Sequence, residues 1–332
     1  EIDMDGNVSS DNFERLGHQM IDYVECEIGG QCIDKQYGEW MDIWAQLSSS
    51  NEEWTKLDRL IDGSLLNSSS NSKLYIPLQF WFCRNPGLAL PLIALQYHEV
   101  KLNVQFKARS SVKTNDSTPL TASDGTNSAG TANKDREIAS CCVFCDYIFL
   151  DTDERRRFAQ VSHEYLIEQV QFSNALTQAD GQDQHELRFN HPVKELVWTV
   201  QSQDEPFNYF GSSSGNDTDE VKTALLQLNG HDRMKRREGS YFRCVQPFQH
   251  HTGGHQQADA SNGSTVPMGG MYCYSFGLKP EEHQPSGTCN FSRIDNAVLA
   301  IDAENGGTLK VYAVNYNVLR IMSGMGGLAY SN

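Results

Sequence analysis

The 332-residue chain contains no run of eighteen apolar residues, so no segment is built to cross a bilayer as a helix. Its most apolar stretch, 88–95, is short and is broken by Pro91. Basic residues are also scarce. Lys and Arg number 27 against 43 Asp and Glu, a net charge of −16. A surface of that sign repels a phosphate backbone, so direct nucleic-acid binding is not expected. The two basic triplets, Arg155-Arg156-Arg157 and Lys235-Arg236-Arg237, are too short to reverse the balance. They read as solvated faces or as contacts between subunits.

The signatures of common enzymes are missing as well. There is no Gly-x-Ser-x-Gly elbow, no P-loop and no dinucleotide fingerprint. No two of the ten histidines are separated by a single residue, which removes the His-x-His pair that a two-domain cupin needs. His250, His251 and His255 stand together in the polar run 250–270. Three imidazoles can hold zinc, but an exposed loop without a carboxylate partner is a poor site. His98-Glu99 and His163-Glu164 fall in strand-like segments, as side chains on alternating faces. Glu281-Glu282-His283, between Pro280 and Pro285, reads as a turn rather than an acid–base pair. No catalytic, metal-binding or cofactor-binding residue is assigned, no cofactor is expected, and the chain is not read as an enzyme.

The nine cysteines are odd in number and unevenly spaced. Cys141, Cys142 and Cys145 lie in a strand-like run where Cys142 faces opposite to the other two. Four ligands at zinc spacing are lacking. They are expected to be free buried thiols behaving as small hydrophobes, which favours a reducing compartment.

What the chain does have is a repeat, sought first because missing it would mis-assign the fold. A β-like segment at 74–82 leads into a Pro-bearing run with Pro86 and Pro91, then a strand at 97–106. The same succession returns as 271–278, a run with Pro280 and Pro285, and 292–301. Upstream, Gly29-Gly30 and Asn229-Gly230 each separate two strand-like flanks. These are hairpin signals, since a two-residue I′ turn needs positive φ at both central positions. Downstream, 141–150 matches 310–319 in character, both being apolar, β-branched and aromatic. Gly29, Gly30, Pro86, Pro91, Asn229, Gly230, Pro285 and Gly287 are therefore structural turn residues.

In chain order, the first hairpin is expected to return through Cys32 and Ile33 to 40–44. A helix follows, with Ser50 and Glu53 as a capping box, Trp54, Leu57, Leu60 and Ile61 at helical spacing, and Gly63 as its stop. The run 108–137 is dense in Ser, Thr, Asn, Asp and Gly and reads as an exposed loop. After the strand 141–150, Asp151 or Thr152 caps a short helix to Phe158, and 163–172 is extended again. The division is 1–172 for the first unit, 173–184 for a polar linker and 185–332 for the second. The second opens on a strand pair turned at His191-Pro192 and carries polar loops at 203–220 and 250–270, with a strand at 241–248 between them. Only 27 residues precede Ile28, so the first unit is expected to lack its opening strands. Six Asn-x-Ser/Thr triplets occur, at Asn7, Asn67, Asn115, Asn216, Asn262 and Asn290. Asn115, Asn216 and Asn262 fall in the polar loops and are candidate glycan acceptors. Such triplets also arise by composition in an Asn/Ser-rich chain, and free thiols argue against a secretory route. Many short strands with turn signals, duplicated, imply an all-β chain of two antiparallel sandwiches with short helices in the connections.

Several of these segments carry a family resemblance. Phe80-Trp81-Phe82, Asn85-Pro86-Gly87-Leu88-Ala89-Leu90-Pro91 and Leu95-Gln96-Tyr97-His98-Glu99-Val100 resemble the first-domain signature of major capsid proteins of large icosahedral double-stranded DNA viruses of the algal, amoebal and iridovirus type. Ile28-Gly29-Gly30 with Ile33-Asp34 and Trp40 resembles the same family. So do Asn229-Gly230-His231-Asp232-Arg233, Tyr241-Phe242-Arg243, Tyr274-Ser275-Phe276 and the run 284–295. The likeness spans about residues 16–321, outside the three polar loops. It implies a double jelly roll of two eight-stranded sandwiches and a homotrimer forming a pseudo-hexagonal capsomer of an icosahedral shell. It also implies neighbouring capsomers and minor capsid proteins as partners, an internal membrane beneath the shell, and assembly in the host cytoplasm. A minor capsid protein and a sugar-binding jelly roll are the alternatives.

Overall fold

The computed structural model describes residues 1–5, 15–61, 71–108, 111–112, 137–201, 220–253, 257–258, 265–266 and 270–330. The first half carries β1 (Ile2–Asp5), α1 (Leu16–Met20), β2 (Ile21–Ile28), β3 (Gln31–Tyr37), α2 (Gly38–Ser48) and α3 (Asn51–Ile61). It continues with β4 (Asn71–Leu74), α4 (Trp81–Arg84), β5 (Val100–Phe106), β6 (Glu137–Cys141) and α5 (Thr152–Gln160). The second half carries β7 (His163–Gln178), β8 (Gly181–Glu186), β9 (Pro192–Gln201), β10 (Val221–Leu228), β11 (His231–Asp232), β12 (Arg237–Glu238) and α6 (Gln246–His250). It closes with β13 (Gln257–Ala258), β14 (Thr265–Val266), β15 (Met271–Ser275), β16 (Cys289–Asn290), β17 (Ala297–Ala303), β18 (Gly307–Met322) and β19 (Met325–Leu328).

The repeat reappears in the ladders. In the first unit the order is β3-β2-β5, and in the second β11-β10-β17. Each hairpin turns on two residues of positive φ, Gly29 (59°) with Gly30 (85°) and Asn229 (51°) with Gly230 (77°). That is the I′ geometry, whose twist matches the strands it joins. The turns are braced differently. Asn229 Oδ1 accepts from the N–H groups of Asp295 and Asn296 at 2.9 and 3.2 Å, whereas Gly29 lies flat against the His98 ring.

The second unit is a sandwich. One sheet runs β15-β9-β18-β19, with β7 on β18 and β16 on β9; the other runs β11-β10-β17-β8, with β12 on β10. Between them pack Leu196, Trp198 and Val200 of β9, Leu226 of β10, Leu299 and Ile301 of β17, and Leu309 and Val311 of β18. Side chains of opposite parity, Val197, Tyr312 and Val314, meet Trp40, Ile43, Trp44 and Leu47 of α2 instead. The β9–β18 sheet is thus covered on both faces, which is why β9 is buried along almost its whole length. The far ends of the same long strands belong to the first unit's core. Ile167, Leu319 and Ile321 pack with Val24, Ile28, Ile33, Phe80 and Trp81.

The helix expected after Ser50 forms, and its capping box is made: Ser50 N–H donates to Glu53 Oε2 at 3.0 Å, and Glu53 N–H to Ser50 Oγ at 3.4 Å. Asp151 and Glu154 form a second box on α5. Gly63 lies outside the described residues, as do Asn115, Asn216 and Asn262.

Several expected strands take other forms. Residues 75–80 join no ladder and 81–84 are helical; Pro77 has no N–H to donate to a ladder. Residues 40–44 lie in α2, where Trp40, Ile43, Trp44 and Leu47 repeat at helical spacing against the sheet. Residues 241–248 are helical, with Pro247 in the first turn of α6, a position that needs no N–H. The 173–184 segment is not an irregular linker: it holds the end of β7, a tight turn and the start of β8. β8 and β9 form no hairpin, because His191, at φ 65°, turns the chain from one sheet to the other. Finally, Cys141, Cys142 and Cys145 are exposed rather than buried: Cys141 ends β6, and 142–150 joins no ladder among the described residues. Cys26 and Cys273 are the buried thiols, and burial pushes Cys26 up to about 12.

The two hairpin turns predict unequal tolerance. A Cβ on Gly29 would sit 2.2 Å from His98 Nδ1, whereas one on Gly230 meets nothing within 4 Å. Gly230→Ala should cost only the left-handed backbone penalty, about 1–2 kcal/mol. Gly29→Ala should cost clearly more in urea unfolding, and equal losses would remove the steric part of this account.

Candidate functional site

The two Pro-bearing runs of the repeat converge on one carboxylate. Glu168 projects from the middle of β7, and its Oε2 accepts from Arg84 Nη1 at 3.0 Å. Lys194 of β9 donates to its Oε1 at 2.7 Å, and His283 Nδ1 lies 3.8 Å from the same oxygen. Arg84 ends α4, directly before Asn85-Pro86, and His283 belongs to the run 279–288. The wall of a pocket of about 160 Å³ is formed by Trp81, Arg84, Asn85, Leu88, Glu168, Glu281 and His283. Both copies of the irregular run therefore face each other across Glu168.

A second arm of the network centres on His251, which follows α6. Its Nε2 lies 3.0 Å from Glu195 Oε2, and its Nδ1 lies 3.1 Å from Glu281 Oε1. Trp44 of α2 joins the two arms: the Arg84 guanidinium sits 4.3 Å from the centre of its ring, and His251 meets it edge-on at 6.4 Å. Three carboxylates (Glu168, Glu195, Glu281) thus meet three cationic groups (Arg84, Lys194, His251), mostly out of water. Such charges are tolerated only when paired.

Protonation follows from that packing. Burial opposes a charge on His251, but Glu195, Cys273 and Glu281 outweigh it and hold the imidazole well above its ordinary value of 6.5. Burial likewise opposes the Glu281 charge, and His251 and Thr252 reverse this to set its carboxyl below the usual 4.5. Asp34 on β3 is the opposite case: burial raises it to about 6, although it accepts from Val170 N–H at 3.0 Å and from Gln36 at 2.6 Å. A second seam ties α2 to the sheet, where Glu39 takes Lys310 at 2.5 Å and Gln201 at 2.7 Å.

Of the residues weighed from sequence, His250 bonds the Leu278 carbonyl at 3.0 Å and His255 lies outside the described residues. His251 is a correction, since it is buried between two carboxylates that come from distant strands and turns. Glu281 and His283 face the seam instead of merely solvating a turn. Glu282 pairs outward with Lys279 at 2.7 Å. Arg84, Glu168, Lys194 and Glu195 were missed. The available signal was the charged pair Lys194-Glu195 inside a strand otherwise apolar enough to be buried on both faces. Among the described residues no group of three or more His, Cys, Asp or Glu is placed to hold a metal ion, and no helix is long and apolar enough to cross a membrane.

Comparison with known proteins supplies the context. A family described as the large eukaryotic DNA virus major capsid protein matches residues 154–327, and one described as the major capsid protein N-terminus matches 4–151. The chain belongs to this major capsid protein family. It is 47% identical to the major capsid protein of Pyramimonas orientalis virus, across 95% of this chain and 78% of the relative. With the major capsid protein of Paramecium bursaria Chlorella virus 1 it shares 41%, across 95% and 79%. The solved VP54 structure of PBCV-1 superposes with a TM-score of 0.79 at 34% identity, over 100% of this chain and 89% of that one. The Faustovirus major capsid protein reaches 0.69 at 14% identity, over 94% and 73%, a likeness of fold. The fold is a double jelly roll, as the family resemblance implied.

In this major capsid protein the seam generates two predictions. Glu168→Ala leaves Arg84 and Lys194 buried without their partner and should cost about 3–5 kcal/mol in chemical unfolding. A loss below about 1 kcal/mol would show that the seam contributes little. The second concerns pH. His251 binds its proton more tightly when folded, so its contribution is complete below 6.5 and fades as pH rises through its folded value. Glu281 contributes above 4.5 and loses this as pH falls, while the raised Asp34 favours the acidic side. The unfolding midpoint should therefore peak between about pH 4.5 and 6.5 and fall towards pH 8. In His251→Gln that fall should be much smaller; an unchanged profile would remove His251 from the account.

Proposed function

We propose that the chain is the shell-building subunit of a large icosahedral double-stranded DNA virus, and that three copies close into a trimer. The observation that supports this most directly is the duplication of the ladder order, β3-β2-β5 and β11-β10-β17, in one chain. Two similar sandwiches per chain, in three copies, make six nearly equivalent corners, so the trimer tiles a hexagonal lattice. A tile must also be stiff. The strands shared between the two cores and the ionic seam beneath them supply that stiffness, because neither unit can turn against the other without breaking both.

In this reading the chain passes from the first jelly roll to the second ahead of β7, whose strand already belongs to the second unit's sheet, so the boundary lies earlier than the polar segment 173–184. The polar runs 108–137 and 203–220, and the part of 250–270 beyond the buried His251, lie mostly outside the described residues and supply the charge and polarity that favour solubility and host contact. Asn115, Asn216 and Asn262 are the acceptors there if the loops carry glycans. Pro86, Pro91, Pro285 and Gly287 shape the runs that meet at the seam. Gly287 has φ 148°, and a Cβ there would approach the Phe276 carbonyl to 2.8 Å. Neighbouring capsomers and minor capsid proteins are the partners, an internal membrane lies beneath the shell, and assembly takes place in the host cytoplasm. The part played is structural, with no reaction assigned.

Light scattering on the full-length protein tests the proposal. A stable particle of three times the protomer mass is expected. A clean monomer would overturn the tile and bring a sugar-binding module to the front, which a glycan array would then examine.

A further inference from the structure

The second seam, away from the Glu168 pocket, brings an amine, a carboxamide and a carboxylate together. Lys310 lies on β18, and Gln201 ends β9, the strand beside it. In the ladder Lys310 stands opposite Thr199 and Gln201 opposite Thr308. Lys310 and Gln201 are therefore diagonal neighbours on one face of the sheet. Lys310 Nζ donates to Gln201 Oε1 at 3.0 Å and to Glu39 Oε2 at 2.5 Å. Gln201 Nε2 donates to Glu39 Oε1 at 2.7 Å. One carboxylate from the first turn of α2 thus holds both the amine and the amide nitrogen.

The surroundings are those of a reaction centre and not of a surface ion pair. Glu39 and Gln201 are buried, and Thr199 and Tyr312, on the same face, are 0 and 1% exposed. The Trp40 ring, 5.3 Å from that of Tyr312, closes the site from α2. Water, the competing nucleophile, is largely kept away. Lys310 keeps 21% of its side chain exposed, which leaves a way out for a small leaving group. Two buried donors at the site are unused: Thr199 Oγ1 and Trp40 Nε1 have no hydrogen-bond partner among the described residues. Lys107 adds a second ammonium, and burial, joined by the Lys310 charge and opposed by Glu39, pushes it below its ordinary value. Two positive charges that share one carboxylate favour the release of a proton from one of them.

We propose that Lys310 and Gln201 join in an isopeptide bond, a single-turnover self-modification in which Glu39 moves the protons. Glu39 Oε2 takes a proton from Lys310, and the neutral amine attacks Gln201 Cδ. Cδ is one C=O bond, about 1.2 Å, from the oxygen that Nζ already touches, so a small side-chain movement brings the reacting atoms together. The Nζ–Cδ bond forms and the carbonyl pair moves onto Oε1, for which Thr199 supplies a spare donor on the same face. Glu39 then gives its proton to Nε2 and takes the second proton that Nζ sheds. The carbonyl re-forms, the Cδ–Nε2 bond breaks, and ammonia departs, collecting the proton from Glu39 as ammonium. The step needs no oxidant or cofactor. Its product ties β9 to β18 covalently beneath α2, within one chain and independently of the trimer.

Mass spectrometry of the folded full-length protein, denatured only for the measurement, tests this. The intact mass should fall short of the sequence mass by one ammonia. A succinimide at Asn229-Gly230 would give the same loss, so tryptic mapping decides between them. A branched peptide should join the segments that hold Gln201 and Lys310, with no cleavage after Lys310. Lys310→Arg and Glu39→Gln should each yield the two segments as separate linear peptides. Linear peptides from aged wild-type protein, with cleavage after Lys310, would overturn the proposal, and that reading does not depend on how any variant folds. A branch from Gln201 to Lys107 would also overturn it, by assigning the wrong amine. A bridge that still forms in Glu39→Gln would remove Glu39 from the mechanism. Native mass on the same samples reports the trimer separately, so a bridged monomer would remove the tile and leave the bond.

Discussion

The pairing of β7 with β18 is the constraint on which the other arrangements rest. The two strands are 16 residues each and pair antiparallel from Gly307 opposite Gln178 to Ile321 opposite His163, with a single one-residue register shift between Leu309 and Val311. A strand of that length spans roughly 50 Å, more than one sandwich needs. One end of the ribbon is therefore core to the second unit, and the other end is core to the first. Because side chains alternate across a strand, a one-residue slip would turn every apolar contact outward at both ends at once. The junction between the units is thus a continuous sheet and not a hinge.

A ribbon buried on both faces creates an electrostatic problem, which the seam answers. Glu168 and Glu195 lie on adjoining parts of the sheet where water is excluded, and each must find a cation or lose its proton. Their partners come from parts distant in sequence: Arg84 from the first unit's irregular run and His251 from the end of α6. Lys194 is the exception, a strand neighbour of Glu195. Replacing such a network by apolar side chains can be neutral or stabilising, so its presence argues for specificity rather than for net stability. An ion pair that closes only when both Pro-bearing runs are in place selects one mutual arrangement of the units, which is what a repeating shell requires.

The repeat was legible because its markers are local. Gly29-Gly30 and Asn229-Gly230 announce their turns by residue type alone, and the structure supplies the positive φ they imply. The capping box at Ser50 and a cap at Asp151 or Thr152 were equally visible, since a cap is a contact over three residues; the structure settles the second on Asp151, with Glu154 completing a box. Misreadings clustered where composition and periodicity disagreed. The first hairpin was expected to return as far as 40–44, while the spacing there encoded the α2 stripe. Pro77 and Pro247 should have weighed against the strands assigned at 74–82 and 241–248. The seam was not legible, because no spacing in the sequence joins Arg84 to Glu168 or His251 to Glu195.

By itself, then, the sequence determined the β class, the duplication, the turns and the acidic balance of charge. Each of these depends on contacts between residues close in the chain or on sums over composition. Only the tertiary structure decided that the polar segment 173–184 holds strands, that His251 is buried between carboxylates, and that 142–150 joins no ladder among the described residues. Those outcomes depend on which distant segments are brought alongside. The free energy of a buried charge or an unpaired strand is set by its neighbours in space.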